Sequence, residues 1–231
     1  MQTSTHTILG ERLASIRERI AAACRRSGRA PADVTLIAVT KTASPSVAVV
    51  AAELGVLDLG ENRPQELWTK AEAVPTARWH LIGHLQRNKI DRTAPLTTLI
   101  QSVDSVRLLQ ALDAFGVKRG EPVSVLLEVN CSREESKGGF APEAIPGLSD
   151  SLASLRGVSV RGLMTMAAYS DDQESARPTF AELRRLRDDL AARSGLELPH
   201  LSMGMSGDFE VGVEEGATFV RIGTSLFEGL G

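Results

Sequence analysis

The chain has 231 residues, 42% hydrophobic and 24% charged, with a formal net charge of -3, which is enough for one sizeable core. Few aromatics, slight negative charge and no basic tract argue against a nucleic acid or a membrane surface as the main partner. No apolar run reaches signal-peptide or transmembrane length, so a cytoplasmic protein is expected.

Leu9, Leu13, Ile16, Ile20 and Cys24 recur at helical spacing with Arg and Glu between them, which predicts an amphipathic opening helix. The arginines of "RERIAAACRRSGRA" then read as its solvated outer face. Eight short apolar runs follow: "VTLIAV", "VLDLG", "RWHLIG", "TTLIQSV", "VSVLLEV", "SVRGLMTM", "LPHLSMG" and "FVRIG". The segments between them suit helices, as in "SVAVVAAELG", "SVRLLQALDAFG" and "ARPTFAELRRLRDDLAARSG", where Phe180, Leu183, Leu186 and Leu190 keep helical phase. Strand and helix alternate throughout, which predicts an α/β fold. Eight units favour a single (β/α)8 barrel over residues 1–231, with an extra N-terminal helix, in preference to a doubly wound sheet. Cys24 and Cys131 lie far apart and outside any CxxC spacing, so they read as small buried hydrophobes, not as a disulfide or zinc site.

A barrel of this kind builds its active face from strand C-terminal ends and the loops that follow. The polar segments there are Lys41, "GENRPQE" (60–66), "GHLQRNK" (83–89), "NCSREESKGG" (130–139), "GLMTM" (162–166), "SMGMSGD" (202–208) and "RIGTSLF" (221–227). A strand-end lysine alone is usually solvated or salt-bridged. Desolvated beside other cations, it carries a neutral amine that condenses with an aldehyde. Gly204 and Gly207 permit close backbone approach, Ser206 offers a hydroxyl, and Asp208 reads as the cap of a helix whose N–H groups would face an anion. Gly223, Thr224 and Ser225 come from the next loop, and the loops after strands seven and eight of a barrel often hold phosphate. Each loop alone reads more simply as an ordinary glycine turn with a helix cap. Together, opposite Lys41, they read as a phosphate cradle, and a Schiff-base lysine with a phosphate cradle suggests pyridoxal 5'-phosphate.

Through "AVTKT", "LGENRPQEL", "WHLIGHLQRNK", "IQSVDS", "VNCSREESKGGF", "RGLMTM" and "SMGMSGDFEVGVEEGATFVRIGTSLF", the sequence resembles almost end to end the YggS-like pyridoxal-phosphate homeostasis protein family, related to the barrel domain of alanine racemase. The resemblance implies that Lys41 carries pyridoxal 5'-phosphate as a Schiff base, and that Ser206, Gly207, Gly223 and Thr224 hold its phosphate. It further implies that Arg221 faces the pyridine nitrogen and that Asn62 lies beside the cofactor. The implied role is intracellular cofactor carrier or buffer, with apo pyridoxal-phosphate enzymes as transient partners, no metal, and no robust catalysis of its own. Two departures stand out. "KTASPS" replaces the Lys-Pro or Phe-Pro pair that many relatives have after the lysine, and "GDFEVGVEEGATF" stands where "EAAI" is common.

Arg221 bears on mechanism, because an arginine stays cationic and only donates. The ring nitrogen would stay neutral and carbanion stabilisation weak. The plainer alternative is an arginine salt-bridged to Glu61 or another barrel carboxylate. Racemases of the related type need a second acid/base, a tyrosine from a further β domain. Here the chain ends just after strand eight, and the single tyrosine, Tyr169, reads as a surface loop residue. A monomer is expected. Of the remaining polar residues, His84 reads as pocket-lining, His80 and His200 as satisfied core residues, and Lys137 as a solvated lysine able to approach phosphate. Three readings stay open: a cofactor homeostasis protein, a weak racemase or related amino-acid enzyme, and a phosphosugar aldolase using Lys41 without a cofactor.

Overall fold

In the computed structural model, which describes residues 2–230, each of the eight apolar runs contributes a strand. These are β1 (Thr35–Val39), β2 (Asp58–Glu61), β3 (Arg78–Leu81), β4 (Leu99–Val103), β5 (Val123–Glu128), β6 (Val158–Met164), β7 (His200–Ser202) and β8 (Phe219–Ile222). All pair in parallel with their chain neighbours, and β8 closes on β1 through Thr35 opposite Phe219 to Ala38 opposite Ile222. Closure removes every sheet edge, which is how eight short parallel strands are stable without an unpaired ladder. The doubly wound alternative is excluded.

The helices are α1 (Gln2–Arg26), α2 (Pro45–Glu53), α3 (Pro64–Ala73), α4 (Ile90–Thr93), α5 (Val106–Arg119), α6 (Ser149–Ala153), α7 (Arg177–Ser194), α8 (Phe209–Glu214) and α9 (Thr224–Phe227). They shield the outer face of the barrel, where outward strand residues such as Ala38, Leu59, Leu81 and Ile100 join one large buried cluster. Side chains alternate along a strand, so the residues between these point inward. Inside the barrel, Ile37, Leu99, Leu126, Met164 and Phe219 form a second, smaller apolar cluster. Two residues further along β4 and β8, on the same inward face, stand buried Gln101 and Arg221. The barrel is therefore apolar in part and polar towards its C-terminal mouth.

Helix α1 buries Leu9, Leu13, Ile16, Ile20 and Cys24 and packs on α2, α8 and α9. Its basic face is not simply solvated as the sequence suggests. Arg19 and Arg26 pair with Glu210 and Glu214 of α8, each at 2.7 Å, and Arg29 donates to the Val213 carbonyl at 2.6 Å. The partners lie roughly 190 positions away along the chain, where only the docking of α1 on α8 could supply them. In "KTASPS", Ser44 caps α2 by accepting the Val47 N–H, and Pro45 occupies the first turn, where its missing N–H costs nothing. The "GDFEVGVEEGATF" segment forms α8 with Phe209, Val211 and Val213 buried. Both cysteines are buried and unpaired. Among the described residues no helix is long and apolar enough to cross a membrane.

Candidate functional site at the barrel mouth

Strand β1 ends at Val39, and the next residue, Thr40, is wholly buried. Its Oγ1 donates to Glu61 Oε1 at 2.5 Å. Lys70 Nζ donates both to that same oxygen, at 2.6 Å, and to the Thr40 carbonyl, at 2.7 Å. A buried ion pair thus fixes the backbone immediately before Lys41. Lys41 itself is exposed, so the expected desolvation by burial among cations is not what the fold provides. The reason is local: the strand stops two residues earlier, and the turn carries Lys41 beyond the buried shell.

Lys41 lines a cavity of about 520 Å³ at the C-terminal mouth of the barrel. Asn62, Ser206, Gly207, Arg221, Gly223 and Thr224 line the same cavity, so closure brings all seven sequence-predicted residues together. Ile82 after β3 and Met166 after β6 supply apolar wall. The volume lies in the range of small-molecule sites.

The two glycine loops are tied to each other, because the Ser225 N–H donates to Ser206 Oγ at 3.3 Å. Gly204 has φ +95°, and a Cβ there would meet the Phe209 backbone at 2.8 Å, so the packing of the loop on the start of α8 itself requires a glycine. Gly207 differs: a Cβ built on it would have no atom within 4 Å. Asp208 does not cap α8. Its Oδ1 accepts the Met205 N–H at 2.6 Å, because the loop folds back and brings that amide within reach. Burial pushes the Asp208 carboxyl above its usual range.

Arg221 is 3% exposed. Its Nη1 donates to Ser202 Oγ at 2.5 Å and its Nη2 to the Thr165 carbonyl at 2.8 Å. Burial pulls the guanidinium down to about 10, which leaves it cationic at neutral pH. The alternative of a salt bridge to Glu61 fails, since Glu61 is held by Lys70. Asp208 and Glu128 act on Arg221 only through their field. Glu128, at the end of β5, is pushed up to about 7, first by burial and then by the neighbouring Asp104.

His84 is exposed, bonds the Asp104 carboxylate through Nδ1 at 2.9 Å, and does not line the cavity, contrary to expectation. It follows the end of β3 by three residues and is held by Asp104, just after β4. His80 and His200 are satisfied barrel residues: His80 lies between Asp58 and Gln101, and His200 lies against Phe219 and the Thr218 hydroxyl. Lys137 is not free in solvent. It donates to the Ala167 carbonyl at 2.8 Å, pairs with Glu134, and lines the cavity. Tyr169 is 92% exposed, donates to Asp171, and sits on the cavity rim. Ser202 and Thr165 lie within the candidate segments "SMGMSGD" and "GLMTM" without a role of their own there, and Gln101 and Lys70 lie outside every candidate segment. For Ser202 and Gln101 a signal existed, a polar residue at an inward position of the apolar runs "LPHLSMG" and "TTLIQSV".

A closed parallel barrel with a lysine at the exit of β1 and paired glycine loops after β7 and β8 defines a barrel of the alanine racemase N-terminal class. The family model described as "Alanine racemase, N-terminal domain" matches residues 12–230. Within that class the chain belongs to the pyridoxal phosphate homeostasis protein family. The protein of that name from Aquifex aeolicus is 44% identical over 219 residues, covering 94% of this chain and 96% of that one. Among solved structures, an unknown protein from Bifidobacterium adolescentis superposes with TM-score 0.90 at 38% identity, over 97% of this chain and 96% of that one. PipY of Synechococcus elongatus, with PLP bound, superposes with TM-score 0.83 at 33% identity, over 95% and 99%.

Proposed function

We propose that this chain binds pyridoxal 5'-phosphate in the barrel-mouth cavity and serves as an intracellular carrier and buffer of it, without efficient turnover of amino acids. The observation that carries this reading is the shared cavity, in which a lysine amine, two interlocked glycine loops and a buried arginine meet. The bound group would supply an aldehyde that condenses reversibly with a primary amine, a ring nitrogen that accepts a hydrogen bond, and a phosphate dianion.

The residues present fit that group. The unfilled space around Gly207 is what a bound phosphate needs beside a loop, and a side chain there would intrude on it. Ser206 and Thr224 bring hydroxyl donors and Gly207 and Gly223 backbone N–H groups. These would hold the phosphate. Lys41 would hold the aldehyde carbon through its amine, Asn62 would flank the ring, and Arg221 would donate to the ring nitrogen. Because Arg221 only donates and stays charged, it keeps that nitrogen unprotonated, which disfavours carbanion chemistry and favours storage. A weaker racemase-like activity is the second reading, and the observation for it is Tyr169 on the cavity rim. Family membership supports the carrier role.

The test is the absorption spectrum of the purified protein with added cofactor, before and after borohydride reduction, for wild type and Lys41→Ala. A visible band that reduction abolishes and that fixes the cofactor to the Lys41 peptide is expected. Its absence in wild type, or trapping at Lys137 or Lys89, would overturn the assignment.

A further inference from the structure

A single chain of hydrogen bonds crosses the barrel interior. At its mouth end Arg221 Nη1 meets Ser202 Oγ at 2.5 Å; Ser202 Oγ meets Gln101 Oε1 at 2.6 Å. Gln101 Nε2 meets His80 Nδ1 at 3.0 Å, and His80 Nε2 meets Asp58 Oδ1 at 3.1 Å. The five side chains come from β8, β7, β4, β3 and β2, and all are buried. At the far end Arg78, the first residue of β3, clamps Asp58 through Nε and Nη2. Burial pushes Asp58 up, yet the bonds from His80 and Arg78 outweigh it and hold the carboxyl below its usual range.

The ends of this chain set its direction. A guanidinium only donates and a carboxylate only accepts, so each link between them passes one proton forward. Ser202 accepts from Arg221 and donates to the Gln101 oxygen; the Gln101 amide donates to His80 Nδ1; His80 donates from Nε2 to Asp58. Reversing the Gln101 amide would leave the Ser202 hydroxyl without an acceptor and force a second proton onto His80. The network therefore selects one amide orientation and one histidine tautomer. Buried and bonded without a break from Arg221 to Asp58, it is a rigid polar strut.

We propose that Gln101, acting through Ser202, is a positioning residue that aims the Arg221 guanidinium at the ring nitrogen of the bound ligand. This rests on the function proposed above. Two of Arg221's five N–H groups are committed to Ser202 and Thr165, which fixes its plane and leaves three for other partners. The strut thus controls how well the site recognises a ring acceptor, separately from the lysine and the phosphate loops.

The experiment compares affinities for pyridoxal 5'-phosphate and for its 1-deaza analogue, in which C–H replaces the ring nitrogen. Wild type should prefer the natural ligand, and Gln101→Met, which keeps the volume but removes both polar atoms, should cut that preference roughly tenfold. Gln101→Glu keeps an acceptor for Ser202 and should restore it. Ser202→Ala breaks the neighbouring link and should behave like Gln101→Met, should that variant not fold. In the ligand-free protein, nitrogen-15 shifts should show His80 as the Nε2–H tautomer. A preference unchanged in the broken-strut variants, or affinity for both ligands falling in parallel, overturns the proposal, as does an Nδ1–H tautomer. Loss of the Lys41-dependent band in wild type would instead overturn the function on which it rests.

Discussion

Lys70 Nζ lies 2.6 Å from Glu61 Oε1, with both side chains almost wholly excluded from water. One carboxylate oxygen takes bonds from Lys70 and Thr40, whereas Glu61 Oε2 has no hydrogen-bond partner among the described residues. Such a pair adds little net stability over an apolar replacement, but removing one partner strands a buried charge. Lys70→Met should therefore destabilise the fold by about 3–5 kcal/mol. Lys70→Met with Glu61→Gln should recover much of that loss, in urea denaturation at neutral pH. Equal losses for single and double variants would show that the two groups are not coupled.

If the two glycine loops hold the phosphate as proposed, they should carry most of the affinity difference between pyridoxal 5'-phosphate and pyridoxal. A hydrogen bond to a charged group contributes roughly 1.5–3 kcal/mol, so losing one weakens binding about tenfold or somewhat more. Ser206→Ala with Thr224→Val should weaken the phosphorylated ligand strongly and leave pyridoxal almost unaffected, as read by titration of the visible band. Equal weakening of both ligands would place the phosphate elsewhere.

Glu128 links stability to pH. Its carboxyl moves from 4.5 to about 7 on folding, so the folded state binds the proton more tightly than the unfolded state. The stabilisation is complete below about pH 4 and is lost as pH rises through 7. Glu128→Gln, which cannot ionise, should match wild type in acid and gain on it as pH rises from 4.5 to 7. The advantage should level off above that at up to about 3 kcal/mol. Denaturant midpoints across this range give the answer; a gap independent of pH would mean that Glu128 does not titrate there.

Binding and catalysis should separate. If Lys41 holds the cofactor as proposed, amino acids would exchange with it, so a spectral change alone is not activity. The measure is solvent deuterium incorporation at Cα of L- and D-alanine and serine, with racemisation, in holo protein and in the Lys41→Ala variant. Negligible turnover with transfer of the cofactor to an apo enzyme is expected. Lys41-dependent turnover at about 1 per second or faster would establish the racemase reading instead.

Several features were legible because they are local. Strand positions follow from runs such as "VTLIAV" and "VSVLLEV", and Lys41 and the two glycine loops sit at strand ends, where barrel geometry says to look. Lys70 was not legible. On an amphipathic helix a lysine reads as solvated, and only the packing of α3 over the end of β1 puts it beside Thr40 and Glu61. Asp208 was misread for a similar reason: its spacing before α8 suits a cap, but the folded-back loop offers the Met205 amide instead.

By itself, the amino-acid order determined the eight strands, their alternation with helices and the strand-end placing of Lys41 and the two glycine loops, since these depend on periodicity and position along the chain. Tertiary structure alone decided how buried polar groups are paired. Ser202 and Gln101 are 101 positions apart and bond only because barrel closure sets β7 and β4 across one interior. A hydrogen bond needs its partners within about 3 Å and aligned. Sequence spacing carries no such information once the partners lie on different strands.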